Sequence, residues 1–254
     1  MKSNSDKCHL IVAENEHRPA YISNACIYLD EEKAFLHSEK TVKLLGIWID
    51  DKMTFEEHVK TLLKKGNQKL HALMRVSKYM SEEKLRILMK TFIESQFNYC
   101  PLLWMFHSRN INKRINSLHE RALRVVYKDD YLTFEQLLEK DNSFTTHERN
   151  LQKLVILMYK VKHGLCPAPI QEIFTENENA PEFRNDRDGD WVIPKAKTVN
   201  NGLETIRYRG PVTWNLLPCE IRSSETLESF KEKVVQWKPQ GCTCRLCKFT
   251  SRTF

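Results

Sequence analysis

The stretch TFEEHVKTLLKKGNQKLHALMRV, residues 54–76, decides the fold because its apolar residues recur every three or four positions. That period is typical of an amphipathic α-helix. The apolar face comprises Val59, Leu62, Leu63, Gly66, Leu70, Leu73 and Met74. Thr54, followed by Glu57 three positions later, predicts a capping box at the first turn. The stretch therefore predicts a long helix that buries one face.

Helical periodicity continues along most of the chain downstream. We predict further helices over residues 81–100, from 108 to about 126, and over 133–140, 145–163 and 227–237. Thr145 and Glu148 form a second capping-box pattern, and Gly164 is placed to end that helix. We expect Trp104, Trp214 and Trp237 to pack in the core, and His119 to lie on a helix surface.

The N-terminal residues 1–51 differ, since short apolar or β-branched runs alternate there with polar turns. Three or four strands are predicted within Cys8–Ala13, Ala20–Leu29 and Thr41–Asp50, paired as an antiparallel sheet. The fold class predicted is α+β and predominantly helical, with a small N-terminal antiparallel β segment, a helical bundle and an irregular C-terminal lobe. The predicted divisions are 1–51 (β segment), 52–174 (helical domain), 175–201 (linker or long loop) and 202–254 (C-terminal region), with a strand over 204–209.

Composition narrows the class of protein. Only seven glycines occur in 254 residues, which disfavours a glycine-rich nucleotide-binding enzyme. No apolar run approaches the 18 or so residues of a membrane span, and the N-terminus lacks a secretory signal pattern. Eight cysteines in such a chain are expected to be reduced thiols or metal ligands. We therefore expect an intracellular protein, nuclear or cytoplasmic, with no membrane partner.

Positive charge is concentrated in one segment. The net charge is +7, but residues 52–128 hold 16 basic and six acidic side chains, a local net charge of +10. At 100° per residue, many of these cations share helix faces opposite the apolar ones. The candidates are Lys60, Lys64, Arg75 and Lys78 on the first helix and Arg114, Arg121 and Arg124 on the third. Two interpretations stay open: contact with a polyanion, or an ordinary solvated helix surface.

A cysteine cluster lies near the C-terminus. Cys242, Cys244 and Cys247 could occupy three corners of a tetrahedral Zn²⁺ site. The fourth ligand is not evident from the sequence: Cys219 is one candidate, and no histidine follows Cys247 before Phe254. Free or transient thiols are the alternative.

An ordered set of motifs resembles a known family. The motifs are KLLGIWIDDKMTFEEHV (43–59), FIESQFNYCPLLW (92–104), LHERALRVVYKD (118–129), YRGPVTWNLLP (208–218), SFKEKVVQW (229–237) and CTCRLC (242–247). They resemble, collinearly and over essentially the whole chain, the C-terminal part of non-LTR retrotransposon reverse transcriptases, with jockey-like elements as the most similar class. The opening NSDKCHL (4–10) resembles the Asn-x-x-Lys stretch that follows the catalytic aspartates of the polymerase palm.

The resemblance implies that the chain is a fragment, the end of the palm followed by the helical thumb and the C-terminal region of an RNA-directed DNA polymerase. The endonuclease, the fingers and the Mg²⁺-binding palm would lie upstream, so that Mg²⁺ is expected only for the missing palm and the chain would not polymerise alone. Lys7 matches a lysine near the phosphates of the incoming nucleotide and is a weak candidate for a remnant of the catalytic machinery; the alternative is an exposed lysine before a strand. Implied partners are the missing palm and fingers and an RNA or RNA–DNA duplex, gripped through its backbone.

The tetrapeptide Tyr127-Lys128-Asp129-Asp130 spells the Tyr-x-Asp-Asp signature of reverse transcriptases. It ends a basic amphipathic helix, however, and no apolar strand flanks it, whereas a two-metal site needs carboxylates on a tight turn. We interpret it as a helix C-terminus followed by a solvated loop, and Asp50-Asp51 as a structural turn. Two other functions stay open: a host-retained protein-interaction module without a nucleic-acid role, or a non-functional pseudogene fragment.

Overall fold

The computed structural model describes residues 8–13, 26–29, 34–177, 190–240 and 242–247. Two small antiparallel two-stranded sheets near the N-terminus are followed by helices, which confirms the predicted α+β, predominantly helical class. Among the described helices, none is long and apolar enough to cross a membrane.

The four strands form two hairpins. Strand β1 (Cys26–Leu29) pairs with β2 (Ala34–His37), and β3 (Thr41–Leu44) pairs with β4 (Ile47–Asp50). The two-residue turn between β3 and β4 has positive φ at both Leu45 and Gly46, which suits the twist of a tight hairpin.

The strand predicted at Cys8–Ala13 is wrong, because within it only an isolated bridge from Leu10 to Ser38 forms. The prediction for Lys7 lies outside the described residues, as does most of the strand predicted from Ala20.

The described helices, in chain order, are α1 (Glu56–Val76), α2 (Glu82–Leu88), α3 (Pro101–Trp104), α4 (Arg109–Tyr127), α5 (Phe134–Asp141), α6 (Thr146–Lys162), α7 (Ala168–Gln171), α8 (Ile206–Asn215), α9 (Cys219–Arg222) and α10 (Leu227–Gln236). A 3₁₀ turn, Ser77–Tyr79, extends α1, and the chain after α2 continues as a π turn, Met89–Ile93, and a 3₁₀ turn, Glu94–Asn98. The long helices therefore match the periodic segments of the sequence.

The capping box predicted at Thr54 and Glu57 is wrong. Phe55 is the N-cap residue of α1, with a positive φ and no side-chain cap. The carboxylate of Asp50, at the end of β4, accepts hydrogen bonds from the backbone amides of Thr54 (2.9 Å) and Phe55 (2.6 Å) instead. Asp50 thus joins the hairpin to α1, which agrees with its interpretation as part of a structural turn.

Two hydrophobic cores organise the helices. The first lies among β4, α1, α2, α4 and α5, and the second among α6, α8 and α10. A smaller apolar group, Met105, Leu151 and Leu154, lies at the end of α3 and along α6. All three tryptophans predicted to be in the core are buried: Trp104 in the first core, Trp214 and Trp237 in the second.

Part of the predicted linker, 175–201, packs in the second core. Trp191 is buried, with its ring 5.9 Å from that of Phe174. The carboxylate of Asp190 accepts hydrogen bonds from Trp214 Nε1 (2.9 Å) and Lys162 Nζ (2.7 Å). The strand predicted over 204–209 is wrong, since these residues lead into α8.

Candidate metal centre and basic groove

Four potential metal ligands converge at one point. The ligand atoms of His147, Cys242, Cys244 and Cys247 all lie within 4.8 Å of one another. His147 Nε2 is 3.2 Å from Cys247 Sγ and 3.3 Å from Cys244 Sγ. Tetrahedral Zn²⁺ with bonds of about 2.1 Å to nitrogen and 2.3 Å to sulfur separates such ligands by roughly 3.5–3.8 Å. The cluster could therefore hold a single metal ion.

The histidine is positioned by the start of α6. His147 lies in the first turn of this helix, where the predicted capping box is present: Thr145 Oγ1 accepts from the amide of Glu148 (3.2 Å), and Glu148 accepts from that of Thr145 (2.9 Å). The fixed helix start holds the imidazole in a buried position that faces the three thiols.

The thiols come from a tight turn that is anchored to three other elements. The amide of Cys247 donates to the carbonyl of Cys244 (3.1 Å). The guanidinium of Arg109 donates to the carbonyl of Arg245 (2.6 Å), and that of Arg245 donates to the carbonyl of Phe106 (2.6 Å). The backbone amide of Arg245 donates to the carboxylate of Glu204 (3.0 Å). The cluster thus lies where the starts of α4, α6 and α8 meet.

The electrostatics of the cluster favour a thiolate. Hydrogen bonds from Cys244 and Cys247 lower the pKa of Cys242 to about 3, outweighing burial, and the positive charge of Arg209 acts in the same direction. Hydrogen bonds with Cys242 and Cys244, together with burial, raise the pKa of Cys247. One thiol of the group therefore loses its proton readily, as metal binding requires.

The sequence located three of these ligands but not the fourth. Cys219, the sequence-based candidate, is exposed and lies outside the cluster. His147 completes it from 97 residues before Cys244, a separation at which no spacing rule applies.

A basic groove runs between α1 and α4. Gly66 lets the helices approach closely, since a Cβ at this position would lie 2.5 Å from Leu118 Cδ2. Beside this contact is a concavity of about 380 Å³, which is lined in part by Lys113, Arg114 and Arg121. Arg121 Nη1 donates to Asn67 Oδ1 of α1 (3.3 Å), and in the described part of the chain neither Lys113 nor Arg114 is ion-paired with a carboxylate.

The remaining predicted nucleic-acid ligands divide into three groups. Lys60 pairs with Glu56 (3.7 Å), and Lys64 is exposed on the same face of α1. Arg124 pairs with Glu120 (2.7 Å) and donates to the carbonyl of Asp129, which holds it at the end of α4.

The third group lies at the other end of α1. Arg75 and Lys78 line a second concavity there, together with His71, Met74 and Tyr79. The groove therefore brings Arg114 and Arg121 together, while Arg75 and Lys78 lie further along α1.

The Tyr-x-Asp-Asp tetrapeptide occupies a helix end, as expected. Lys128 ends α4 with a positive φ, and Tyr127 is buried with its hydroxyl donating to Asp141 (2.8 Å). The carboxylate of Asp129 accepts from the amides of Tyr131 (2.9 Å) and Leu132 (3.1 Å). Asp129 therefore stabilises the loop after α4.

Sequence reasoning missed a buried charged cluster. His119, predicted to be on a helix surface, is buried with its Nε2 3.1 Å from Glu94 Oε1, and Arg149 pairs with the other carboxylate oxygen. Burial raises the pKa of Glu94, but the hydrogen bond from His119 and the charge of Arg149 outweigh it and lower the pKa to about 2. The one sign of this cluster in the sequence is Glu94, a charged residue on the apolar side of the helix predicted over residues 81–100.

Comparison with family models, curated proteins and solved structures finds no match to this chain.

Proposed function

We propose that the chain binds the phosphate backbone of a nucleic-acid duplex in the groove between α1 and α4. The observation that carries the proposal is that Lys113, Arg114 and Arg121 line the same concavity there. Guanidinium groups bind phosphates in a bidentate geometry, and a groove between two helices can follow a backbone without reading bases. All three side chains are exposed, so they are accessible to the phosphates of a strand lying in the groove.

The resemblance supplies the biological setting of this proposal. In a non-LTR reverse transcriptase, a helical thumb at this place in the chain would grip an RNA–DNA duplex while the upstream palm performs the chemistry. On this interpretation the fragment binds primer and template but does not polymerise alone.

The test is duplex binding by the full chain as a function of salt. A labelled blunt RNA–DNA duplex is titrated with wild type, with Arg114→Ala plus Arg121→Ala, and with Lys195→Ala plus Lys231→Ala, which removes equal charge from exposed sites elsewhere. We expect the double arginine variant to bind about tenfold more weakly than wild type. The slope of log affinity against log salt concentration should become about 1 to 2 less steep, because a phosphate contact that is lost no longer releases its counterions.

The control pair should behave like wild type. Equal losses for both pairs, or binding that does not change with salt, would show that the groove is not the binding site.

We further propose that the His147, Cys242, Cys244 and Cys247 cluster holds Zn²⁺. Its four ligand atoms within 4.8 Å carry this second proposal, since a Cys₃His set suits Zn²⁺ and fills all four tetrahedral positions. A site without an open position stabilises structure and does not catalyse. Bound there, the ion would fasten the 242–247 turn to α6.

Metal analysis and cobalt substitution test this site. We expect about one Zn²⁺ per chain, and in the Co²⁺ form the thiolate-to-metal absorption of a tetrahedral sulfur-rich site. His147→Ala should lose both signals, whereas Cys219→Ser, which changes an exposed cysteine outside the cluster, should retain them. A metal content near zero in protein purified without chelator would eliminate the site.

A further inference from the structure

A nearly fully exposed aromatic ring lies at the far end of the basic face of α1. Tyr79, the last residue of the 3₁₀ turn Ser77–Tyr79, is 87% exposed. It lines a concavity of about 560 Å³ together with His71, Met74, Arg75 and Lys78. A tyrosine so exposed contributes little to the core, so its side chain is available to a ligand.

The backbone that carries this ring is fixed. The amide of Ser77 donates to the carbonyl of Leu73, and its hydroxyl donates to that of Met74 (2.8 Å). The turn thus continues α1 in a defined direction, and the ring is presented beside the cations of the last helical turn. Because the backbone is already ordered, ligand binding at this turn does not have to order it.

The chemistry of the concavity matches a nucleotide. Arg75 and Lys78 supply positive charge, Met74 is 45% exposed and offers apolar contact, and none of the five lining residues is acidic. Its volume lies within the range of small-molecule sites. Phosphate on the cations and a base on the ring is the arrangement of single-stranded nucleic-acid sites.

The concavity lies on the face of α1 that also carries Asn67 of the groove. Lys60, Lys64, Asn67, His71, Arg75 and Lys78 follow one another at intervals of three or four residues and so share one face of α1. At 1.5 Å per residue, Tyr79 lies about 18 Å beyond Asn67, which is about five nucleotide steps along a strand. A backbone that follows this face from Arg121 and Asn67 therefore reaches Tyr79.

We infer that the Tyr79 concavity binds an unpaired nucleobase at the single-stranded end of a duplex held in the groove. Bases inside a duplex are already stacked on both faces, so the ring can stack only at or beyond the end of the paired region. The inference rests on the proposed duplex binding and adds the form of the substrate, a duplex with a single-stranded extension. An acidic protein segment would also be attracted to the cations, so the experiment includes an acidic peptide as a competitor.

The experiment compares three labelled RNA–DNA duplexes with the same paired length: one is blunt, one has a four-nucleotide extension of the RNA strand, and one has a four-nucleotide extension of the DNA strand. 2-Aminopurine in the extension reports stacking by the quenching of its fluorescence. The full chain is tested as wild type, Tyr79→Ala, Tyr79→Trp and Tyr131→Ala. Tyr131, 97% exposed and adjacent to Asp130, is the matched control, an exposed tyrosine beside an acidic residue.

We expect one of the two extensions to raise affinity about fivefold or more over the blunt duplex, as one stacked base provides. Tyr79→Ala should abolish both that gain and the quenching while it binds the blunt duplex like wild type. Tyr79→Trp and Tyr131→Ala should retain both.

The results that would contradict the inference differ from those that would contradict duplex binding in the groove. Blunt-duplex binding that depends on Arg114 and Arg121, with no gain from either extension, would overturn the inference and leave the proposed groove intact. No binding of any duplex would overturn both. If a polyglutamate peptide competes as well as a single-stranded oligonucleotide, and Tyr79→Ala weakens the peptide equally, the concavity is a site for acidic protein segments and the inference is wrong.

Discussion

His147 Nε2 lies 3.2 Å from Cys247 Sγ although 100 residues separate the two in sequence. One partner is fixed in the first turn of α6 and the other in the turn formed by residues 242–247. The cluster therefore exists only when these segments have folded onto each other. Because no such site exists in the unfolded chain, the free energy of metal binding adds to the free energy of folding.

Metal removal should loosen the C-terminal turn. We expect chelation, or His147→Ala, to lower the midpoint of thermal unfolding by about 5 °C or more, as the loss of a few kcal/mol of ligand binding does in a chain of this size. Limited proteolysis should show new cleavage between residues 238 and 247. Cys219→Ser is the control and should respond to chelator as wild type does. Identical melting and cleavage with and without metal would contradict the prediction.

The metal ligands that can be predicted from the sequence are those that lie close together along the chain. Cys242, Cys244 and Cys247 are visible because six residues contain all three. His147 is not, since only the packing of the C-terminal segment on α6 brings it near. The groove is similar: a 3.6-residue period indicates each basic face, but the close contact of Gly66 with Leu118 determines which faces meet.

That contact gives a packing prediction. Gly66→Val would place a branched side chain where even a Cβ lies 2.5 Å from Leu118 Cδ2, and overpacking of a buried site costs about 1–3 kcal/mol. Leu118→Ala alone should destabilise by about 2–4 kcal/mol through the cavity it leaves. Urea unfolding of the two single variants and the double variant should reveal compensation of about 1 kcal/mol or more. Strict additivity would show that the helices do not meet at this point.

The buried cluster of Glu94, His119 and Arg149 predicts a pH-dependent contribution to stability. The folded-state pKa of Glu94 is lowered from 4.5 to about 2, so its stabilisation is fully present above about pH 4.5 and is lost as the pH falls towards 2. Glu94→Gln should therefore reduce the free energy of unfolding by about 3 kcal/mol at pH 7, and the difference from wild type should shrink below pH 4.5.

Glu120→Gln is the matched control for this measurement. Its carboxylate pairs with Arg124 in a more exposed position, where an ion pair contributes up to about 1 kcal/mol. Urea unfolding at several pH values compares the two variants. A loss for Glu94→Gln that stays constant from pH 7 to pH 3 would contradict the lowered pKa.

In the stretch 175–201, the sequence does not predict which residues pack in the core. Its low hydrophobicity predicts a linker, yet Trp191 is buried and Asp190 is hydrogen-bonded in the second core. A single tryptophan and a single aspartate have no periodicity, so no pattern separates them from the polar residues around them. The hydrogen-bond partners of Asp190, Trp214 and Lys162, lie on two different helices, and the ring of Trp191 packs against Phe174.

Asp190 should accordingly contribute to stability far more than a linker residue does. Its carboxylate accepts from Trp214 Nε1 and Lys162 Nζ and lies 3.8 Å from Arg222 Nη1, with its own side chain almost fully buried. Asp190→Asn keeps the size of the side chain but removes the charge that balances two partly or fully buried cations, so we expect a loss of about 3–5 kcal/mol in the free energy of unfolding. Asp130→Asn, at an exposed position, should change it by less than about 0.5 kcal/mol. Urea unfolding followed by tryptophan fluorescence measures both, and equal stabilities would mean that residues 190–191 do not belong to the second core.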